Sequence, residues 1–286
     1  MKLGILASGN LGLNIIKHLS NLYQVEMVFT DKKSVAIIDF CLFNNIPCFT
    51  GNPRNKRSSV FISDKKIDIL ISVNYLFLIE QDLISLPNLI AFNVHGSLLP
   101  KYRGRTPHVW SIINNERKTG VTAHIIEEGC DTGGILEQIE IDIDEDDTGA
   151  SLLKKYERLY PVIIDSVLNK IKNNSLSIEK QDEKYATYFG KRTPEDGGID
   201  WNWQKERIRN WVRAQTEPYP GAFTFFDGKK IVIDEVKFSD YGFNYSLPNG
   251  SVVSLNPILI KTPNGLVEIT KFRDVNKFKI GEILGK

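Results

Sequence analysis

The sequence predicts an α/β chain with a mostly parallel sheet, followed by a small β-rich, barrel-like domain. Short runs of Ile, Leu and Val alternate with helical patterns through the first half, the signature of a parallel sheet with helices on both faces. After about residue 200 the strand candidates crowd together, separated by Asp227-Gly228, Asn249-Gly250 and Asn264-Gly265, dipeptides that favour tight turns. A length of 286 residues with 42% hydrophobic composition suffices for one large core and one small one.

Taken in order, Leu3–Ala7, Val25–Phe29, Ile67–Val73 and Leu89–Val94 read as buried strands, and Leu11–Leu22 and Val35–Asn44 as the helices between the first of them. Val121–Ile126 and Ile135–Ile143 follow more closely and suit antiparallel pairing. The Glu137-Gln138-Ile139-Glu140-Ile141-Asp142 alternation gives the second of these one wet face. The acidic run Asp144–Asp147 reads as a solvated cap before a long amphipathic helix, Thr148–Lys172, which Asn173-Asn174-Ser175 closes. A short helix near Trp203–Ala214 precedes strands at Ala222–Phe226, Lys229–Val236, Val252–Leu255 and Leu266–Phe272, forming a barrel or sandwich. The expected organisation is a catalytic domain over 1–180, a linker over 181–200 that contributes to the substrate site, and the small domain over 201–286.

Composition narrows the function. The formal net charge of +1 argues against a polyanion binder as a whole. Cys41, Cys48 and Cys130 form no disulfide framework, which suits a reducing compartment, and the first two sit among apolar residues as core. The first apolar run is too brief for a signal peptide and no stretch approaches a membrane span. A cytoplasmic protein without a membrane partner is expected.

The chemistry concentrates in Phe92-Asn93-Val94-His95-Gly96-Ser97-Leu98-Leu99-Pro100. A strand has a side-chain period of two, so Asn93 and His95 share one face at its carboxyl end, where open α/β sheets place their ligands. Asp131 lies in a second turn, Glu127-Glu128-Gly129-Cys130-Asp131-Thr132-Gly133. An amide, an imidazole and a carboxylate can respectively stabilise an oxyanion, move a proton and orient the imidazole, which is the chemistry of acyl transfer. Ser8-Gly9-Asn10-Leu11-Gly12 turns from strand to helix and offers backbone N–H groups to a phosphate, with Asp31 beyond the second strand. GNLG lacks the spacing of a dinucleotide fingerprint. The loop Lys101-Tyr102-Arg103-Gly104-Arg105-Thr106-Pro107 brings three cations beside the site. Thr106 and Pro107 take the N-cap and N1 positions of the next helix, through Asn114, so that the loop presents Arg105 to an anion. His95, His108, His124 and Asp131 lack the spacing of a metal site.

These segments resemble the 10-formyltetrahydrofolate-dependent formyltransferase family over nearly the whole chain. Phe92–Gly104 resembles its signature segment, and Thr119-Gly120-Val121-Thr122 with Cys130-Asp131-Thr132-Gly133 resembles its folate-loop region. The resemblance implies a Rossmann-like N-terminal domain and a catalytic set of Asn93, His95 and Asp131. It also implies a folate co-substrate, 10-formyltetrahydrofolate, bordered by Phe77, Leu78, Ile79, Arg105, Glu127, Glu128, Gly129 and Cys130, with no metal. In such an enzyme a neutral amine attacks the formyl carbon, Asn93 donates to the oxyanion and His95 shuttles the proton. Asp131 orients His95 and favours its charged form.

Two branches of that family differ in acceptor. Methionyl-tRNA formyltransferases carry a long basic insertion after the second strand, where this chain has only Thr30-Asp31-Lys32-Lys33-Ser34. Residues 200–286 hold 13 Lys/Arg against 10 Asp/Glu, too even a balance for a tRNA surface. Phe189-Gly190-Lys191-Arg192-Thr193-Pro194-Glu195-Asp196, Ile199-Asp200-Trp201 and Glu217–Phe223 resemble instead the sugar-nucleotide branch, which includes the N-formyltransferases of UDP-4-amino-4-deoxyarabinose and dTDP-4-amino-4,6-dideoxyglucose, and they resemble its 4-amino-sugar enzymes more than its 3-amino ones. That resemblance implies N-formylation of a nucleotide-linked amino sugar for surface polysaccharide such as O-antigen. Ser8, Gly9, Asn10, Lys191 and Arg192 are the expected pyrophosphate contacts. The expected assembly is a homodimer with Trp201, Trp203, Trp211 and the C-terminal strands as candidate apolar surface, and with no nucleic-acid partner; methionyl-tRNA is the alternative acceptor.

Overall fold

A computed structural model describes residues 1–273 and 278–285. The chain forms two compact units. The first comprises residues 1–104, 120–140 and 156–188, and the second residues 105–119, 141–155 and 189–286.

The first unit is built on a seven-stranded sheet. In chain order its strands are β1 (Lys2–Ala7), β2 (Gln24–Thr30), β3 (Cys48–Thr50), β4 (Ile69–Val73), β5 (Ile90–His95), β6 (Lys118–Ile125) and β7 (Ile135–Asp142). They lie in the order β3-β2-β1-β4-β5-β6-β7. Pairs from β3 to β5 are parallel and β6 runs antiparallel to β5, so the sheet is parallel except toward one edge. Every residue of β4 and all but the first of β1 are buried, because a parallel sheet covered on both faces needs strands apolar on both sides. The chain leaves β1 into helix α1 (Gly9–Ser20) and β4 into the 74–80 loop, so the strand order reverses between two carboxyl ends that open α/β sheets use for ligands. The expected strands and helices all form, with ends shifted by a few residues. The three-residue β3 was not expected, because Cys48-Phe49-Thr50 is too short to show a period.

Besides α1, the α-helices longer than four residues among the described residues are α2 (Val35–Phe43), α3 (Pro107–Ile113), α4 (Gly149–Lys172) and α5 (Lys205–Gln215). Asn174 ends α4 in the left-handed conformation (φ +53°), and the Ser175 N–H returns to Lys170 O at 2.9 Å. Pro107 opens α3 as expected, but Thr106 is itself left-handed (φ +48°) and its side chain caps nothing.

In the second unit five strands make one antiparallel sheet, the small β-rich domain that the sequence predicts. They are β8 (Ala222–Phe226), β9 (Lys229–Ser239), β10 (Val252–Leu255), β11 (Ile258–Thr262) and β12 (Gly265–Arg273), in the order β8-β9-β12-β11-β10. Ile258–Thr262 was not expected as a strand; it pairs with both β10 and β12 across two-residue turns at Asn256-Pro257 and Pro263-Asn264. Helix α5 packs against β9 and against α3.

Two surface expectations fail here. Trp201 and Trp211 are 4% and 9% exposed, and the Trp201 indole N–H donates to Thr224 Oγ1 at 2.9 Å, so neither ring offers an apolar surface to a partner. The Asp144–Asp147 run is solvated only in part. Asp147 is 5% exposed and accepts from Lys155 Nζ, Ser151 Oγ and the Asp144 N–H, while its carbonyl accepts from Arg213. These bonds outweigh burial and hold its carboxyl below the usual range.

His108 on α3 is buried and shares a hydrogen bond with the Tyr219 hydroxyl at 2.8 Å. Burial pushes its imidazole down to about 4. The unfolded chain therefore takes up a proton near pH 6.5 that the native unit refuses. Stability is complete above pH 6.5 and falls by up to about 3 kcal/mol between pH 6.5 and 4 through this residue. Denaturant unfolding of the wild type and His108→Gln at pH 7 and pH 5 checks this: the wild type should lose more stability between them, and equal losses would contradict it.

Candidate active site

Strand β5 carries Asn93 and His95 to its carboxyl end. The register sets Asn93 opposite His124 of β6 and His95 opposite Thr122. His95 is 7% exposed and its Nε2 lies 2.8 Å from the Tyr102 carbonyl. A carbonyl can only accept, so Nε2 carries the hydrogen and the lone pair of the neutral ring sits on Nδ1. Nδ1 faces Asp131 Oδ2 at 3.6 Å, close enough for the carboxylate to stabilise a charge there and too far for a good hydrogen bond to occupy it. Nδ1 is thus the atom that can take a proton.

Asp131 is placed by a left-handed backbone (φ +56°), and its Oδ2 accepts from the Gly104 N–H at 2.9 Å. Burial alone would raise its carboxyl, but His95, His124 and the Gly104 N–H outweigh it and keep the group ionised. For His95 the balance goes the other way. Asp131 favours the charged form as expected, yet burial dominates and the imidazole sits below its ordinary value. Burial thus favours the base form of the ring, which suits proton removal from an amine.

In the sequence His124 stands out only as one of four residues that lack the spacing of a metal site. The structure brings it into the site. Its Nδ1–H donates to Ile125 O at 2.8 Å, so with a neutral ring Nε2 accepts from Asn93 Nδ2 at 3.1 Å. This fixes which end of the Asn93 amide is nitrogen and leaves its second hydrogen for an oxyanion. His124 Nε2 also lies 3.5 Å from Asp131 Oδ1. The only signal in the sequence was a polar residue on a buried strand; its position opposite Asn93 depends on the antiparallel register, which no local pattern shows.

The turn after β5 is held close to the sheet. Thr122 Oγ1 donates to Ser97 O at 2.6 Å and accepts from the Leu99 N–H and from Gln138 Nε2. A Cβ at Gly96 would stand 2.9 Å from the Tyr156 ring, so the turn requires glycine there. In the loop that follows, Lys101 and Arg105 are exposed, but Arg103 is fully buried and bonded within the first unit, so it is not a ligand-facing cation as its loop suggested.

The other expected contacts are distributed as follows. Phe77 and Ile79 are half-buried and Leu78 is 61% exposed on the loop after β4, with Phe77 edge-on to Tyr75 at 5.5 Å. Ile79 packs on the core cluster that also contains Ile126, the residue leading into exposed Glu127, Glu128, Gly129 and Cys130. In the Ser8–Asn10 turn, the Gly9 N–H is already given to Ser34 Oγ at 2.9 Å, and Ser34 Oγ donates to Asp31 Oδ2 at 2.6 Å. Asp31 is therefore consumed inside the fold.

In the second unit, Lys191 is exposed, whereas the Arg192 guanidinium lies between the Trp110 and Trp211 rings at 5.1 and 4.3 Å. Its Nη2 donates to Asp196 O and Gln215 Oε1, while its Nη1 is buried with no acceptor. Arg192 lines a cavity of about 120 Å³ together with Thr106, Thr193 and Tyr219. Among the described residues no group of three or more His, Cys, Asp or Glu is placed to hold a metal ion, and no helix is long and apolar enough to cross a membrane.

The family model described as formyl transferase matches residues 15–168, and its companion, the formyl transferase C-terminal domain, matches residues 191–281. The chain belongs to the formyl transferase family. Among curated relatives, the bifunctional polymyxin resistance protein ArnA of Wigglesworthia glossinidia brevipalpis is 37% identical over 260 residues. The match covers 90% of this chain but 38% of that relative, so the formyltransferase chain spans well under half of its length. Among solved structures, the N-formyltransferase from Helicobacter canadensis, in complex with folinic acid and dTDP-3-aminofucose, shares the fold with a TM-score of 0.70 and 22% identity. That match covers 95% of this chain and 99% of the other. A 4-N formyltransferase from Francisella tularensis gives a TM-score of 0.67 and 22% identity, covering 80% of this chain and 94% of that one.

Proposed function

We propose that this formyltransferase moves a formyl group from 10-formyltetrahydrofolate to the amine of a nucleotide-linked amino sugar. The observation that carries the reading is the constellation at the end of β5: an Asn93 amide with one hydrogen to spare, a buried neutral His95 with its lone pair on Nδ1, and an ionised Asp131 beside it. The folate supplies an N-formyl carbon activated toward an amine. Asn93 donates to the oxygen of that group as it becomes an oxyanion. His95 receives the amine's proton at Nδ1, where Asp131 stabilises the imidazolium, and returns it to the departing folate nitrogen. Phe77, Leu78, Ile79, Arg105 and residues 127–130 are the proposed folate contacts.

The acceptor is proposed on three supports: Phe189–Asp196 and Glu217–Phe223, the short junction after β2, and solved relatives that include one holding dTDP-3-aminofucose. A 4-amino sugar on dTDP or UDP is the specific expectation, for surface polysaccharide. Lys191, Arg192 and the Ser8–Asn10 turn are the proposed pyrophosphate contacts, and the buried Arg192 Nη1 is a donor that lacks an acceptor. A homodimer in the cytoplasm completes the proposal. Purified protein, the folate donor and a panel of dTDP- and UDP-amino sugars test it. Formylation of a 4-amino sugar is expected; product from none of the panel, or formylation of methionyl-tRNA instead, would overturn it.

A further inference from the structure

The Asp131 turn is held from outside by one side chain. Gln181 is 4% exposed, and its Nε2 donates to both Asp131 O at 2.9 Å and Gly133 O at 2.7 Å. Its Oε1 accepts from Arg103 Nε at 3.2 Å and Nη2 at 2.7 Å. A guanidinium can only donate, so the orientation of the Gln181 amide is fixed: oxygen toward Arg103, nitrogen toward the two carbonyls. Arg103 is fully buried and gives its other hydrogens to the Glu183 carboxylate, at 2.9 and 2.7 Å, and to the Tyr188 hydroxyl. The same segment grips the opposite side of the centre. Thr187 accepts from the Arg103 and Tyr102 N–H groups at 2.9 and 2.8 Å, and the Tyr102 carbonyl is the acceptor that sets the His95 tautomer.

We propose that Gln181, locked by Arg103, is a positioning residue that holds the Asp131 carboxylate against Nδ1 of His95. The inference rests on the formyl-transfer reading for its kinetic consequence, but not for its electrostatic one. A packing role alone would be met by any buried side chain of that size. What distinguishes the arrangement is that both polar ends of Gln181 are used, and that one end meets the backbone of a left-handed Asp131, whose carboxylate position depends on that backbone. Asp131 and His124 are the charged or titratable groups that act on His95. Those that act on Asp131 are His95, His124, the Cys130 thiol at 3.5 Å and the Tyr160 phenol, along with the Gly104 N–H. None of them can replace the carboxylate if the turn moves.

Gln181→Glu preserves size and strengthens the Arg103 end while facing two carbonyls with an acceptor. Gln181→Met removes the donors without repulsion, in case the first variant folds poorly. In both, with dispersed NMR spectra confirming the fold, the His95 C2–H titration of the ligand-free protein should move to lower pH, because the neighbour that favours its charge has receded. Gln181→Glu should lower kcat by up to about a hundredfold with KM values nearly unchanged. It should cost nothing further in an Asp131→Asn background. An unmoved His95 titration in both folded variants, or losses that add to those of Asp131→Asn, would overturn the proposal. A shifted titration in a protein that formylates nothing would instead reject the formyl-transfer reading and leave the positioning role standing.

Discussion

His95→Asn is expected to lower kcat by about 10²–10⁴ while leaving the dissociation constants of both substrates within a few-fold. The structure gives the reason. His95 holds a lone pair on Nδ1 beside the ionised Asp131 carboxylate, and its other nitrogen is committed to the Tyr102 carbonyl. An asparagine amide ends short of the Nε2 position that meets that carbonyl, and it cannot take a proton at neutral pH. The folate and pyrophosphate contacts are proposed elsewhere, so affinity should barely change. Single-turnover rates beside titration calorimetry check both halves. Retention of more than about a tenth of wild-type turnover would contradict a general acid–base role of the usual size.

Asn93→Ala should cost about 10²–10³ in kcat, the loss found when a preorganised oxyanion donor is removed. Its amide is fixed before substrate arrives, because His124 Nε2 accepts one of its hydrogens and Ile125 O holds the His124 ring. His124→Phe should therefore give a smaller loss in the same direction, since Asn93 remains but its amide is free to turn. Rates for the two variants and their double mutant would show it. A His124→Phe loss equal to or greater than that of Asn93→Ala would mean that His124 acts on the substrate directly and not through Asn93.

The contrast between His95 and His124 shows what was legible in the chain. Asn93 and His95 could be read as neighbours because two residues of one strand share a face by local geometry, and Gly96-Ser97 ended the strand on cue. The apolar runs gave the buried parallel strands for the same local reason. His124 and Gln181 lie 31 and 88 residues from Asn93 in sequence, and only pairing across the sheet and closure of the 179–188 segment bring them in. Burial of charge was equally hidden. Arg103 in a basic loop and Asp147 in an acidic run look solvated, and each is buried because distant partners satisfy it. The buried tryptophans misled for a related reason: composition shows that a ring is apolar but not which surface covers it. Arg192 was legible as a cation near the proposed acceptor segment, but its place between Trp110 and Trp211 was not.

The central claim is that this centre passes a formyl group intact from the folate to a sugar amine. The most direct measurement follows a ¹³C-labelled formyl donor by NMR in a single turnover with the dTDP-4-amino sugar. The label should appear as a formamide on the sugar nitrogen with the wild type and fail to appear there with His95→Asn. Label released as formate, with water as the acceptor, or label transferred equally well by the His95 variant, would contradict it.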